Sequence, residues 1–280
     1  MPSRLALKAT LISLLFLGVF LGAWQLATQT QESTLLLGSD AEYAALMGKG
    51  VEKGNGFPPP VKVGQAFVKY LSHPFYDNGP NDKGIGIQLG YSLGRVGLGF
   101  LLATLVALPL GFTIGMSPLL FRALNPFIQV LKPISPLAWM PLALYSLKDS
   151  AVSGIFVIFI CSIWPMLINT AFGVASVRRE WLDVARTLEV DPLRRAWLVI
   201  LPAAAPTILT GMRISMGIAW LVIVAAEMLV GGTGIGYFVW NEWNNLALPN
   251  VIFAVLMIGM TGMVLDLFFS WLQKLVTYRE

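Results

Sequence analysis

The chain has 280 residues, of which 56% are hydrophobic and only 12% charged, with a net charge of +4 and a mean hydropathy of +0.71. That is far too little polar surface to cover a soluble globule of this length, so the composition excludes one and points to an integral membrane protein. The basic excess forms no stripe interleaved with aromatics, and nucleic acid is not expected as a partner.

A helix crosses the hydrocarbon core with roughly 20 mostly apolar residues. Runs of that kind lie at 9–27, 91–116, 124–147, 152–174, 204–229 and 250–272. Their apolar residues continue all round instead of alternating, which predicts helices and not the strands of a membrane barrel. The fold class expected is all-α, a polytopic bundle of six transmembrane helices. Its expected parts are an N-terminal span (1–28), an external segment (29–90), a core of five spans (91–273) and a short tail (274–280).

In chain order, Arg4 and Lys8 before the first apolar run also describe a signal peptide; a retained first span is the expectation adopted here. Residues 28–90 are rich in Gly, Pro, Asn, Asp and Lys, including Pro58-Pro59-Pro60 and Asp77-Asn78-Gly79-Pro80-Asn81-Asp82, which are turn and loop signals. Within them, Val61 to Leu71 sets Val61, Ala66, Val68 and Leu71 among Lys62, Gln65 and Lys69, predicting a short interfacial amphipathic helix. His73 has no metal-ligand partner in the pattern and is assigned no role.

The third to fifth spans carry Pro126, Pro133, Pro136, Pro141, Pro165 and Pro206. The dense run Leu131 to Pro141 predicts an irregular helix, either lining a pathway or kinked for packing, since broken backbone at membrane depth survives only where neighbours or a cavity satisfy it. Small residues four apart, Gly90 with Gly94, Gly111 with Gly115, and Gly211 with Ser215 and Ala219, permit close helix contact. The single cysteine, Cys161, lies inside an apolar span and reads as core packing.

Between the fourth and fifth spans runs a charged stretch, Arg178 to Pro202. Glu180, Asp183, Glu189 and Asp191 alternate with Arg178, Arg179, Arg186, Arg194 and Arg195, while Trp181, Leu182, Val184, Leu188 and Val190 supply an apolar face. The pattern fits a surface helix able to enter a partner's groove, or simply a solvated loop helix. Pro192 marks a break, with a second helix expected from about Leu193 to Pro202. With both termini cytoplasmic, Arg4, Lys8, Arg122, the arginines of 178–195, Lys274 and Arg279 all fall inside, which satisfies the positive-inside rule. The long segment 28–90 is largely exempt from that rule despite its lysines.

Residues Asp183 to Pro202 resemble the Glu-Ala-Ala loop of ATP-binding-cassette importer permeases. Asp183, Val184 and Ala185 stand in its first three places, and Val199, Leu201 and Pro202 complete it without insertion. Glu189 occupies the family's glycine position, and a longer continuous helix through 189 is one expected outcome. The resemblance covers roughly residues 58–273 and is closest to the nitrate, taurine and alkanesulfonate branch. It rests there on Ser92-Leu93-Gly94-Arg95-Val96, Pro136 to Pro141, Gly211-Met212-Arg213-Ile214 and Ala225-Ala226-Glu227-Met228. Within that branch, Tyr145 to Ser150 and Gly232 to Asn245 are similar to the cyanobacterial nitrate and bicarbonate permeases.

The resemblance implies a type I importer permease fold, with Asp183, Val184, Ala185, Arg186, Glu189, Val199, Leu201 and Pro202 in the coupling loop. It implies a homodimer with a second permease copy, two cytoplasmic ATP-binding subunits that hold the ATP and Mg, and an external substrate-binding protein. The setting is the lipid of the cytoplasmic (inner) membrane. The cargo it implies is a small oxyanion, nitrate or nitrite first, with bicarbonate, cyanate or a sulfonate as alternatives. No phosphate-binding loop is written in this sequence, and Gly231 to Gly236, lacking the lysine, reads as a re-entrant or turn element.

Ionisable groups at membrane depth are the candidates for substrate handling. Arg213 and Asp266 lie at similar depths in the fifth and sixth spans, and are read as a structural ion pair or, for Arg213, as an anion contact. Arg95, Lys132 and Glu227 are the other charged pathway candidates, and Trp139 and Trp220 could line the route or pack in the core. A metal site or a catalytic residue is not expected. An ion-coupled secondary carrier is the reading of another class, but it calls for more intramembrane carboxylates and repeat-related broken helices.

Overall fold

Every regular element among the described residues, 4–34, 57–79 and 82–276, is helical, apart from one antiparallel bridge between Asp77 and Lys83 in this computed structural model. Pro80, Asn81 and Arg279, and part of the lysine-bearing segment 28–90, lie outside those residues. In chain order the helices are α1 (Arg4–Thr34), α2 (Pro60–Ser72), α3 (Ile85–Met116), α4 (Pro118–Leu131), α5 (Pro136–Leu147), α6 (Ser150–Ala175), α7 (Arg179–Thr187), α8 (Pro192–Arg195), α9 (Leu201–Val230), α10 (Ile235–Asn244) and α11 (Leu248–Val276).

Among the described residues, five stretches are long and apolar enough to cross a membrane: Ala6–Thr28, α3, α6, Pro192–Val230 and α11. A sixth exists if α4 and α5, bent by 89° at their junction, count as one broken span. The single third span expected over 124–147 is therefore corrected to two helices. Pro133 and Pro136 have no N–H to donate, and a residue before proline is driven out of the α region. Ser135 accordingly sits at φ −58, ψ 135. The freed groups are met locally, Ile134 donating to the Leu131 carbonyl and Ala138 to that of Ser135.

A second correction concerns Pro202, where a helix stop was expected. The chain instead runs from Pro192 through a π-helical turn at Ala196–Ile200 straight into α9. A proline ring collides with the carbonyl four residues back, here Leu198, and a turn wound one residue wider relieves that collision. Leu201 donates to the Ala196 carbonyl, five residues away.

The chain divides into two compact units, Met1–His73 with Glu242–Phe253, and Pro74–Asn241 with Ala254–Glu280. In the larger unit, α6 lies between α3 and α9, and small residues bring the backbones together. A Cβ on Gly111 would stand 2.7 Å from the Thr170 Cβ, and one on Gly211 would stand 2.6 Å from the Asn169 Cβ. Gly90 and Gly94, grouped with these in the sequence, face open space and make no such contact in this chain. Cys161 is buried in α6. In the smaller unit, α2 buries Val63, Ala66 and Tyr70, and Trp24 of α1 packs on Phe57.

The packing separates two otherwise identical substitutions. Gly211→Ala should destabilise the chain by about 1–3 kcal/mol through overpacking. Gly217→Ala, with nothing within 4 Å, should be neutral or gain up to about 1 kcal/mol of helix propensity. Thermal unfolding of the two purified proteins in detergent checks this, and equal midpoints would refute the close α6–α9 contact.

Candidate functional site

The helix α7 stops where the sequence left its end open. Leu188 still has near-helical angles, but Glu189 lies at φ 52, in the left-handed region. Val190 then donates to the Ala185 carbonyl and Glu189 to that of Arg186, both at 3.0 Å. These two bonds form a Schellman ending, whose left-handed position is ordinarily glycine. The expected continuous helix through 189 is thus replaced by a tight stop, with a glutamate bearing the strain. Asp191 begins the next element, accepting from the Leu193 N–H at 3.2 Å with Pro192 in the first turn.

This short helix has two working faces. Leu182 and the buried Ala185 point toward the bundle, Leu182 packing on the cluster of Val174, Val177, Ile200, Ala204 and Ile208. Trp181, Val184 and Leu188, at i, i+3 and i+7, are exposed together. Beside them Arg186 pairs with Asp183 at 3.0 Å, and the Arg178 guanidinium lies 5.5 Å from the Trp181 ring. Val199 and Leu201 are half-buried behind this face, and Pro202 is exposed.

A second centre forms around Glu227, at the end of α9. Gln88, Ser92 and Arg95 sit at i, i+4 and i+7 of α3 and so share one side of it. The Glu227 carboxylate accepts from the Ser92 hydroxyl at 2.8 Å, from Arg95 Nη1 at 2.7 Å and from the Gly236 N–H at 3.1 Å. Arg95 also donates to the Thr233 carbonyl, the Gly234 N–H to Gln88 Oε1, and the Ile235 N–H to the Ser92 hydroxyl oxygen. Glu227 is 3% exposed and the Arg95 side chain 15%.

The glycines follow from this wrapping. A Cβ on Gly234 would fall inside the Glu227 carboxylate, and one on Gly236 would fall on the Val224 carbonyl. The glycine-rich run is therefore a turn moulded on a buried carboxylate, leading into α10. Glu227 belongs to this lock and not to an open path. Arg95, read as a cation at a mouth, spends its charge on Glu227 while its side chain edges a groove of about 550 Å³ with Ile87, Tyr91, Gly94 and Leu98.

Other named residues are placed singly. Arg213 meets Asp266 through two bonds of 2.5 and 2.6 Å, with side chains 36% and 51% exposed. Trp220 is buried, its indole N–H donating to the Ile258 carbonyl at 3.0 Å, so it packs in the core. Lys132 is exposed at the end of α4, and Trp139 is half-buried in the first turn of α5. Sequence reasoning missed Gln88 and the backbone donors of 234–236. The available signal is that Ser92 to Val96, Ala225 to Met228 and Gly232 onward are separate stretches of the family resemblance, and they meet here.

Removing Glu227 leaves the partly buried Arg95 without its counter-ion, a change that would cost about 3–5 kcal/mol for a fully buried pair and correspondingly less here. Glu227→Ala should therefore unfold far more readily than the double variant Arg95→Met/Glu227→Gln, which removes the charge but keeps an acceptor for the loop. Denaturation of the three proteins compares them; a Glu227→Ala protein as stable as the parent would sink the lock.

Residues 99–279 match the family model for the binding-protein-dependent transport system inner membrane component. The chain is similar to the nitrate import permease protein of Synechocystis sp., 44% identical over 228 residues, covering 81% of this chain and 83% of that one. It is also similar to the bicarbonate transport system permease protein of the same organism, 43% identical over 207 residues, covering 74% of each. Among solved structures, the inward-facing MetNI methionine ABC transporter superposes with a TM-score of 0.61 at 12% identity, covering 69% of this chain and 96% of that one; this likeness shows the fold.

Proposed function

The chain belongs to the family of binding-protein-dependent transport system inner membrane components, and as a multi-pass permease subunit of such an importer we propose that it carries nitrate across the cytoplasmic membrane. ATP hydrolysis sits on separate subunits. The observation that carries the mechanism is α7, a helix with an exposed Trp181-Val184-Leu188 face, ended by a rigid stop at Glu189. An apolar face rimmed by a charge pair is what a helix-in-groove contact requires, and aromatic anchors are favoured at the centres of such contacts.

In this reading α7 seats in a cytoplasmic ATP-binding subunit, and a second permease copy carries a second α7 to the other. Closure of the ATP-binding pair moves both helices inward. Leu182 and Ala185 pass that displacement to the ends of α6 and α9, and the bundle tilts as a rigid body to expose its path to the other side. An external binding protein delivers the cargo. Both termini lie in the cytoplasm.

The paired cations suit a small, singly charged anion. A path must favour entry without trapping its passenger. Arg95 and Arg213 are each committed to a carboxylate, so the route offers oriented donors in place of bare charge. Arg95, Lys132, Arg213 and Trp139 remain the residues proposed to meet it. Nitrate is the cargo proposed first, in keeping with the similarity to a nitrate import permease over 81% of this chain; the bicarbonate permease is nearly as similar, and bicarbonate is the second reading.

Val184→Asp places a charge in the α7 contact and should lower co-purification of the ATP-binding subunits at least about tenfold. Glu189→Gly, by contrast, relieves a left-handed conformation that costs about 1 kcal/mol or more and should leave assembly intact. Retention of the ATP-binding subunits by Val184→Asp at the parental level would overturn the coupling role.

Cargo is decided by uptake of labelled nitrate and labelled bicarbonate into vesicles holding the whole complex with its binding protein and ATP. Nitrate should accumulate and bicarbonate should not compete with it; the reverse pattern would reassign the importer to bicarbonate.

A further inference from the structure

Helix α2 is held along its length by groups that lie near the ends of membrane spans. At its start, the Trp24 indole N–H donates to the Pro58 carbonyl at 3.0 Å. Trp24 lies three residues before the end of the apolar run at 9–27, or about 5 Å along the axis, and α1 itself continues to Thr34. Further on, Phe67 meets the Phe253 ring edge-on at 4.7 Å and Tyr70 stacks on the same ring at 5.2 Å. Phe253 lies five residues after Leu248, where α11 begins, or about 8 Å in. The two anchors sit at nearly one depth and about 15 Å apart along α2. They hold this helix close to the membrane plane, at the level where aromatic belts collect.

That placement gives its outer side a solvent. Val63, Ala66 and Tyr70 are buried against the unit, while Val61, Val68 and Leu71 are 60%, 69% and 49% exposed on the other side. Lys62 and Lys69, two turns apart in one row, flank this apolar sector and are exposed as well. At interfacial depth the apolar sector meets acyl chains and the lysine row meets phosphates. The charge selects among lipids, because two cations in one row favour headgroups with a net negative charge.

We infer that α2 is a lipid-binding helix: Val61, Val68 and Leu71 enter the outer leaflet, and Lys62 and Lys69 hold anionic phospholipid headgroups beside them. The assignment of the leaflet rests on the orientation given under the proposed function; the lipid contact itself does not.

The test uses the full chain in its complex, with Cys161→Ser removing the buried thiol and a fluorophore on Val68→Cys or Gln65→Cys. The vesicles are of equal parts phosphatidylcholine and phosphatidylglycerol. Brominated lipid in the outer leaflet should quench the label at 68 strongly and the label at 65 weakly, with iodide showing the opposite order. Native mass spectrometry of the detergent-extracted complex should show retained phosphatidylglycerol, with Lys62→Gln and Lys69→Gln each lowering it about fivefold. Equal iodide access at 65 and 68, or retention unchanged in the lysine variants, overturns the inference. Shielding of position 68 that appears only when the substrate-loaded binding protein is added assigns the sector to that protein and also overturns it. Quenching only from the inner leaflet overturns the leaflet assignment and the proposed orientation together, whereas failure of the α7 contact leaves all of these readings unchanged.

Discussion

Glu227 is the group on which the larger unit depends. A carboxylate removed from water at the end of a membrane span is costly unless every lone pair is met. Here three different kinds of donor meet it: a hydroxyl, a guanidinium and a backbone N–H. The arrangement joins α3, α9 and the entry to α10 at one point, although these lie far apart in the chain. It also explains why the connecting loop is made of glycine. The backbone must come so close to the carboxylate that a single methyl group would displace it.

Much of the fold was legible because the bilayer imposes a simple rule on composition. Span lengths and helical character follow from apolar runs, and the all-helical bundle agrees with them. What was not legible was local backbone geometry at prolines and at Glu189. The run Leu131 to Pro141 reads as one irregular helix, lining a pathway or kinked for packing, because a bend of 89° depends on neighbours that one sequence does not display. Pro202 illustrates the opposite failure. Its stop signal is genuine, but a turn wound one residue wider absorbs it.

The site was legible in pieces. The charged helix and the break at Pro192 were legible in the residue pattern, whereas its reading as a coupling loop came only from the resemblance of Asp183 to Pro202 to the importer permeases. The Glu227 centre was harder to find, for its members carry no pattern of their own. Gln88, Ser92 and Arg95 show helical spacing, as any face of α3 does, and backbone donors have no sequence signature. Only the meeting of three separately quoted motifs marks the place. Trp220 and Trp139 show the limit of residue type as evidence, since one is buried in the core and the other half-exposed at a bend.

On the coupling role proposed for α7, the left-handed Glu189 bears on how a push would pass through the molecule. A helix end can be soft, fraying by a turn, or it can be fixed by crossed hydrogen bonds that define the angle of exit. The bonds from Val190 and Glu189 back to Ala185 and Arg186 fix it, so α7 and the start of α8 hold a defined angle. On the other side of that joint, Leu182 rests on Val174, Val177 and Ile200, which belong to the end of α6 and the approach to α9. A push on α7 therefore meets a stiff elbow and a packed floor, and it reaches two helices whose backbones are already in close contact at Gly211. The wide turn of Ala196–Ile200 lies directly behind this floor and carries the chain without a break into α9. A stiff entry point joined to two closely packed helices is what the proposed rigid-body tilt would use.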